Sequence, residues 1–349
     1  MKKKLKKAAF LLICIMATLI LCLFILYVVG KIQFTSRLQN VKNDSLTMEE
    51  RFFFGEPLSG NDTFSWPEDL EYADNGNLYS FRQKQFVLYF MGIDDDNIVS
   101  SKTPSEGGQA DAHFLIFIDT ESKTIRILTL NRNTMTDIDI YDLYNVYGYT
   151  IPGQLCLQHA YGDGMEDSCE KSQYAIRRCL NNMPVHAYVS LNKGIIGALN
   201  DAVGGVRVTA LEDIIFPEPE TIIHKGDDIL LKGSDAYYYI THRYTMNFGS
   251  NNTRLERQKQ YLHTLLEQMK SSVLKNPLKL YELYHLSRKY MVTDLSVPEM
   301  FYLATLGMTY QIDTDIVSIP GQTEEGELYE TFYPDEEKKT DIILDYYYD

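Results

Sequence analysis

The hydrophobic pattern of this chain begins with an uninterrupted block. After Lys2, Lys3, Lys4, Lys6 and Lys7, residues 8–29 carry no charged side chain. At about 1.5 Å per residue a helix over that run is about 33 Å long, enough to cross a bilayer core. The run is longer than the roughly 7–15 apolar residues of a cleaved signal, and no A-x-A-like site follows, so it reads as an uncleaved anchor. Lysines on its N-terminal side place residues 1–7 in the cytoplasm and everything from about Lys31 outside the plasma membrane. A secreted protein that retains its signal is the alternative.

Residues 30–80 mix polar and aromatic positions without a sustained period. They read as an extracellular stalk and a helix leading into the next domain, with Ser45 of "SLTMEERFFF" as its cap. From Phe86 the pattern changes to short β-branched and aromatic runs, "FVLYFMG", "HFLIFID", "IRILTL", "HAYVSL" and "GVRVTA", with "TDIVSIP" near the end. Helical stretches at 171–181 and 253–272 lie between them. Strands alternating with helices predict an α/β fold, a central sheet flanked by helices, over residues 81–325. "ESKT" at 121–124 reads as a hairpin connection, so the sheet is expected to be mixed. No internal repeat is present. Residues 326–349 form an acidic tail with an aromatic end, expected to be loosely held, a terminal strand being the alternative.

Composition narrows the partners. The net charge is −15, and the first 30 residues hold five of the 33 basic side chains and none of the 48 acidic ones, leaving 28 against 48 in the exterior part. Such a surface excludes nucleic acid as a partner. Cys156, Cys169 and Cys179 match no zinc spacing and are odd in number, so at most one bridge is open to them.

Against this acidic background, "YITHRYTMNFGSNNTRLERQKQ" gathers Arg243, Arg254 and Arg257 with Gln258. Thr253 and Glu256 have capping-box spacing, which predicts a helix starting at Arg254 with Leu255, Leu262, Leu265, Leu266 and Met269 as its buried stripe. Arginines in a first helical turn oppose the helix dipole unless an anion sits between them. Internal salt bridges are the competing explanation. Asp94, Asp95 and Asp96 emerge at the end of the strand "FVLYFMG", where α/β sheets tend to place ligands, and Asp111 precedes another strand. Carboxylates converging there suit Mg²⁺, which commonly takes one or two of them together with substrate phosphates. Carboxylates and guanidinium groups together suit pyrophosphate chemistry.

The same residues carry a family resemblance. From about Phe86 to Lys270 the blocks "FVLYFMGIDDD", "GGQADAHFLIFIDTESKTIRILTLNRNT", "LQHAYGDG", "MPVHAYVSLNKGIIGALNDAVGGVRV", "LLKGSDAYYYITHR" and "TRLERQKQ" follow in order over roughly half of the chain. In that order and spacing the chain resembles the LytR-CpsA-Psr proteins. The resemblance implies a sheet flanked by helices around an apolar tunnel for a polyprenyl chain. It also implies a phosphotransferase that moves a glycopolymer, such as teichoic acid or capsular polysaccharide, from a polyprenyl pyrophosphate carrier to a peptidoglycan acceptor with Mg²⁺. The muramic acid C6 hydroxyl would attack and polyprenyl phosphate would leave.

Position by position, Asp94 and Asp111 stand where the family has its metal-binding or hydroxyl-activating carboxylates. Arg132 of "LNRNT" matches the arginine of I-P-R-D-T, and Arg243 the second arginine of R-x-R. Arg254, Arg257 and Gln258 match R-x-x-R-Q; with Arg132 and Arg243 they would grip the pyrophosphate. Segments 185–191 and 194–206 are consistent with a tunnel wall or an ordinary core. The departures are Gln109 for the arginine of R-S-D-T, Asn133 for the aspartate of I-P-R-D-T and Thr241 for the first arginine of R-x-R. Asn247 or Asn251 replaces an acidic residue before the helix. These losses remove both signs of charge and leave two further readings open, a non-catalytic binder of lipid-linked or anionic glycopolymer and a hydrolase of the polyprenyl-pyrophosphoryl sugar.

Overall fold

The computed structural model describes residues 2–40, 71–74, 77–217, 220–242, 249–326 and 329–349. The helix expected after Ser45 lies outside these residues, as do Arg243 and Asn247.

The apolar runs from Phe86 onward become one six-stranded sheet. Its strands are β1 (Gln85–Ile93), β2 (Ala110–Asp119), β3 (Thr124–Leu130), β4 (Ala187–Asn192), β5 (Met291–Thr293) and β6 (Gln311–Ser318), in the spatial order β5-β4-β1-β2-β3-β6. The sheet is mixed, as predicted. β1 and β2 are antiparallel, as are β2 and β3 across the 121–124 turn, whereas β1 with β4 and β3 with β6 are parallel.

Alternation along β1 decides what each face meets. Val87, Tyr89 and Met91 point into the larger core, which is closed by α2 (Glu166–Cys179) and by the C-terminal helix. Leu88 and Phe90 point to the other face, crossed by three helices: α1 (Lys2–Asn40), α5 (Ser250–Lys275) and α7 (Val297–Thr309). Smaller helices, α3 (Ile196–Ala202), α4 (Ser234–Thr241) and α6 (Leu278–Ser287), complete the cover.

Two expectations are corrected. The acidic C-terminal end is not loose: α8 (Glu336–Tyr347) buries Ile343, Leu344, Tyr346 and Tyr347, and the last two rings pack edge-on against Phe117 at 4.8 and 5.0 Å. The acidic residues that make the sequence look solvated occupy the outer side of that helix. The stretch 30–40, read as the start of a stalk, is helix docked on the domain. Gly30 is required there, since a Cβ would stand 2.0 Å from the Pro298 carbonyl oxygen. Phe34 stacks on Phe86 at 4.6 Å, and Arg37 pairs with Asp294 at 2.6 Å and Glu299 at 2.7 Å. Within the described residues, Leu21–Gln39 is long and apolar enough to cross a membrane. Cys156, Cys169 and Cys179 are buried and unbridged.

Candidate active site

Parallel pairing of β1 and β4 sets Ile93 against Asn192, so Asp94 and Lys193 leave the sheet side by side. Lys193 Nζ lies 2.6 Å from Asp94 Oδ1 and 3.7 Å from Asp96 Oδ2. Gly194 permits this approach, because a Cβ there would stand 2.0 Å from the Asp96 carbonyl oxygen. Burial works against the Lys193 charge, but hydrogen bonds to Asp94 and Tyr237 outweigh it and raise the pKa.

Antiparallel β2 starts at the same end and brings Asp111 beside this pair, with the Asp94 N–H donating to the Gln109 carbonyl at 2.9 Å. Arg132 follows β3. Asp111 joins two guanidinium groups: Oδ1 pairs with Arg132 Nη1, and Oδ2 accepts from Arg254 Nη1 at 3.0 Å. Arg132 Nη2 also donates to Gln109 Oε1 and to Cys156 Sγ, the latter at 3.0 Å. Burial alone would lower the Arg132 pKa, yet Cys156, Asp111 and Asp94 raise it and keep the group charged. Below it, His113 is fully buried against the Tyr89 hydroxyl at 2.6 Å, and burial, aided by Arg132, pushes its pKa down to about 3.

Helix α5 begins one turn earlier than the capping-box pattern predicts, at Ser250 with Gly249 as its left-handed cap. A tertiary contact sets this start. Glu330, from a ribbon near the chain's end, accepts from the Gly249 N–H at 2.8 Å and from Asn251 Nδ2 at 2.9 Å. Arg254 and Arg257 therefore sit in the second turn. The predicted leucine stripe is also corrected. Arg254, Arg257 and Tyr261 are the buried positions of this stretch, and Leu255, Leu262, Leu265, Leu266 and Met269 are half-buried.

A cavity of about 350 Å³ opens between this helix and the sheet. Asp94, Asp111, Arg132, Lys193, Arg254 and Gln258 form its charged end, and Phe90, Phe114, Leu191, Leu199, Leu262 and Leu265 its apolar wall. Asp94, Asp111, Arg132, Arg254 and Gln258 are thus brought together as the sequence suggests. Arg257 is not part of the lining: it donates to the carbonyls of Tyr239 and His242 and pairs with Glu212 at 3.1 Å, holding α4 to α5. Leu191, Ile196 and Leu199 line the cavity, whereas Val185 and Ala187 belong to the solid core.

Lys193 was missed by sequence reasoning. The available signal was its place just after the strand run "HAYVSL", which the structure sets parallel to β1. The departures from the family pattern differ in meaning. Gln109 holds Arg132, and Thr241 lines the cavity. Asn133 is buried outside the lining and accepts from Gln154 at 3.0 Å. Asn251 Oδ1 accepts from Arg254 at 3.2 Å while its amide binds Glu330, so a carboxylate distant in sequence backs Asn251, one of the two positions expected to replace an acidic residue.

Among the described residues no three His, Cys, Asp or Glu side chains cluster as a ready metal cage. Asp94 and Asp111 on one cavity nevertheless suit Mg²⁺, which completes its shell with substrate phosphates and water.

The LytR_cpsA_psr family model matches residues 63–343. The polyisoprenyl-teichoic acid–peptidoglycan teichoic acid transferase TagV of Bacillus subtilis (strain 168) is 26% identical over 203 residues, 56% of this chain and 46% of that protein. The chain thus spans about half of TagV's length. TagU of Enterococcus faecalis (strain ATCC 700802 / V583), a transferase of the same description, is 26% identical over 242 residues, 68% of this chain and 70% of that protein. The crystal structure of Bacillus subtilis TagV superposes with a TM-score of 0.58 at 21% identity, covering 75% of this chain and 98% of that one, which shows the shared fold.

Proposed function

The chain belongs to the LytR_cpsA_psr family, and from that premise we propose that it is a membrane-anchored transferase. It moves a glycopolymer of teichoic acid or capsular polysaccharide type from a polyprenyl pyrophosphate carrier to peptidoglycan. Residues 8–29 cross the plasma membrane with the N-terminus in the cytoplasm and the C-terminal domain outside. The observation that carries the proposal is Asp111 joining Arg132 and Arg254 at the charged end of a cavity whose other wall is apolar.

A diphosphate fits that charged end and a prenyl chain the apolar wall. Arg132, Arg254 and Lys193 face the phosphates, and Arg243, outside the described residues, is assigned to the same group from its motif. Arg257 acts one step back by fixing α4 against α5. Mg²⁺, held by Asp94 and Asp111, would neutralise charge building on the leaving phosphate. The acceptor hydroxyl oxygen forms a bond to the phosphorus that bears the sugar. The bond from that phosphorus to the bridging oxygen breaks, and polyprenyl phosphate departs with the electron pair. The hydroxyl proton passes to a carboxylate. Asp94 is the better placed, because its side chain is 47% exposed and pairs with Lys193, whereas Asp111 is at 20% and engaged by two arginines.

The test incubates full-length protein with polyprenyl-pyrophosphoryl glycan, peptidoglycan and Mg²⁺. Glycan covalently joined to peptidoglycan, with polyprenyl phosphate released, is the expected result. Sugar phosphate released without acceptor would mean a hydrolase, and donor binding without any product, across several donors, a non-catalytic binder.

A further inference from the structure

We propose that Glu330 is a positioning residue for the transfer: the antiparallel ribbon of Gly321–Glu325 and Glu330–Pro334 is a clasp that holds Arg254 and Arg132 in place for the diphosphate. The proposal rests on the transferase reading above. It gives a role in the reaction to a segment beyond residue 325, where the sequence pattern ends the domain.

The clasp reaches both arginine-bearing segments. Through its side chain, Glu330 Oε1 accepts from the Gly249 N–H at 2.8 Å and Oε2 from Asn251 Nδ2 at 2.9 Å, one turn ahead of Arg254. Through its backbone, the Glu330 carbonyl accepts from Gln154 Nε2 at 2.8 Å, and that same nitrogen donates to Asn133 Oδ1 at 3.0 Å, next to Arg132. Two residues on, the Phe332 N–H donates to the Asn133 carbonyl at 2.9 Å. Asp111 thus joins the two guanidinium groups inside the cavity, and Glu330 joins the segments that carry them from outside it. A direct bond from Asn131 Nδ2 to Asn252 Oδ1 at 2.7 Å also ties these segments, so the corner does not depend on the Glu330 charge to stay closed.

What the carboxylate adds is a direction. An ionised carboxylate accepts hydrogen bonds and donates none, so it faces the NH2 of Asn251 and turns the Asn251 oxygen the other way. That oxygen accepts from Arg254 Nη2 at 3.2 Å, while Arg254 Nη1 donates to Asp111 Oδ2 at 3.0 Å. Both tips of the planar fork are held, which fixes its plane at the charged end of the cavity. A reversed Asn251 amide would set NH2 against guanidinium, donor against donor. Asn251 and Arg254 are 5% and 4% exposed, so solvent does not repair such a mismatch. Glu330 therefore acts on the phosphates through Asn251 and Arg254, without touching them.

The test uses four full-length proteins: wild type, Glu330→Gln, Asn251→Asp and the double variant. Two quantities are measured, transfer of glycan from polyprenyl-pyrophosphoryl donor to peptidoglycan and the Kd of a short-chain prenyl diphosphate, with thermal unfolding as the check on folding. Glu330→Gln offers an NH2 where Asn251 needs an acceptor and so reverses the Asn251 amide. Transfer should fall about 30-fold and diphosphate affinity about tenfold, with the unfolding midpoint little changed, since small displacements of a positioned group cost up to about 10²-fold. Asn251→Asp alone sets two carboxylates face to face and should also lower both. In the double variant the introduced amide donates to the introduced carboxylate, whose second oxygen accepts from Arg254. Transfer and affinity should then return to within about threefold of wild type, a coupling expected only of groups in one network. Wild-type values in Glu330→Gln, or a double variant no better than Glu330→Gln, would overturn the clasp and leave the transferase reading intact. Wild-type protein that binds the prenyl diphosphate but joins no glycan would overturn the transferase reading. Loss and rescue in Kd would then still support the positioning of Arg254, and their absence would overturn it. No diphosphate binding by the wild type would overturn both.

Discussion

The two faces of the central sheet follow the same alternation and end differently. On one face Val87, Tyr89 and Met91 are at most 1% exposed, sealed by α2 and α8. On the other, Leu88 and Phe90 of the same strand are only half-buried, and a cavity remains between sheet and α5. Side-chain volume accounts for part of the difference. Gly92 and Ala112 face one another on the open side, with space for a Gly92 Cβ only 3.1 Å from that of Ala112, so the sheet surface is flat where the charged end of the cavity lies. Periodicity chooses which residues share a face. Whether that face is plugged depends on small residues and on how far the covering helix is held away.

The contrast can be broken from either side. Met91→Ala removes a fully buried side chain from the closed face and should cost about 2–5 kcal/mol of stability, whereas Leu262→Ala on the open face should cost much less and instead weaken donor binding. Chemical denaturation and donor titration of both variants check this; equal stability losses would show that the cavity is ordinary core. Arg254→Ala removes a charged donor from the cavity and one of the two guanidinium partners of Asp111. Transfer should fall by about 10²–10³-fold with folding retained, as for other preorganised donors to a developing anion. An unchanged rate would remove Arg254 from the site.

Acid should destabilise the fold through three buried histidines. Burial holds His113 and His186 down to about 3 and His159 to about 4, against an ordinary 6.5. Because the native forms are neutral, the unfolded chain takes up protons first as pH falls below 6.5. Stability is therefore full above that value and declines toward about pH 4, at about 1.4 kcal/mol per pH unit for each histidine. Denaturant midpoints measured across that window should fall steeply, and less steeply in His186→Gln; a flat profile would contradict neutral burial. The smallest effect is expected at Lys193→Gln, about a tenfold loss of transfer, partly restored by Arg, since the position adds charge beside Asp94 without bridging Asp111. Equal activity in all three proteins would make Lys193 a structural partner of Asp94 alone.

Much of this was legible in the chain. The strands and the hairpin at 121–124 followed from alternation and turn chemistry, Asp94, Asp111 and Arg254 were candidates from their places at strand and helix ends, and Arg132 and Gln258 were assigned through the family resemblance. What escaped depends on contacts far apart in sequence. Glu330 moves the start of α5 through Gly249 and Asn251, and no local pattern near Thr253 reports it. Arg257 matches its motif but spends its hydrogen bonds on the backbone of α4. Lys193 becomes a site residue only once β4 lies beside β1. The apolar side of α8 was hidden by its own acidic outer surface.

The most direct test of the central claim is a crystal structure with a short-chain prenyl diphosphate. The expected density places the diphosphate between Arg132 and Arg254, beside Asp94 and Asp111, with the chain along Phe90, Leu262 and Leu265. A diphosphate bound elsewhere, or a chain lying outside the cavity, would contradict it.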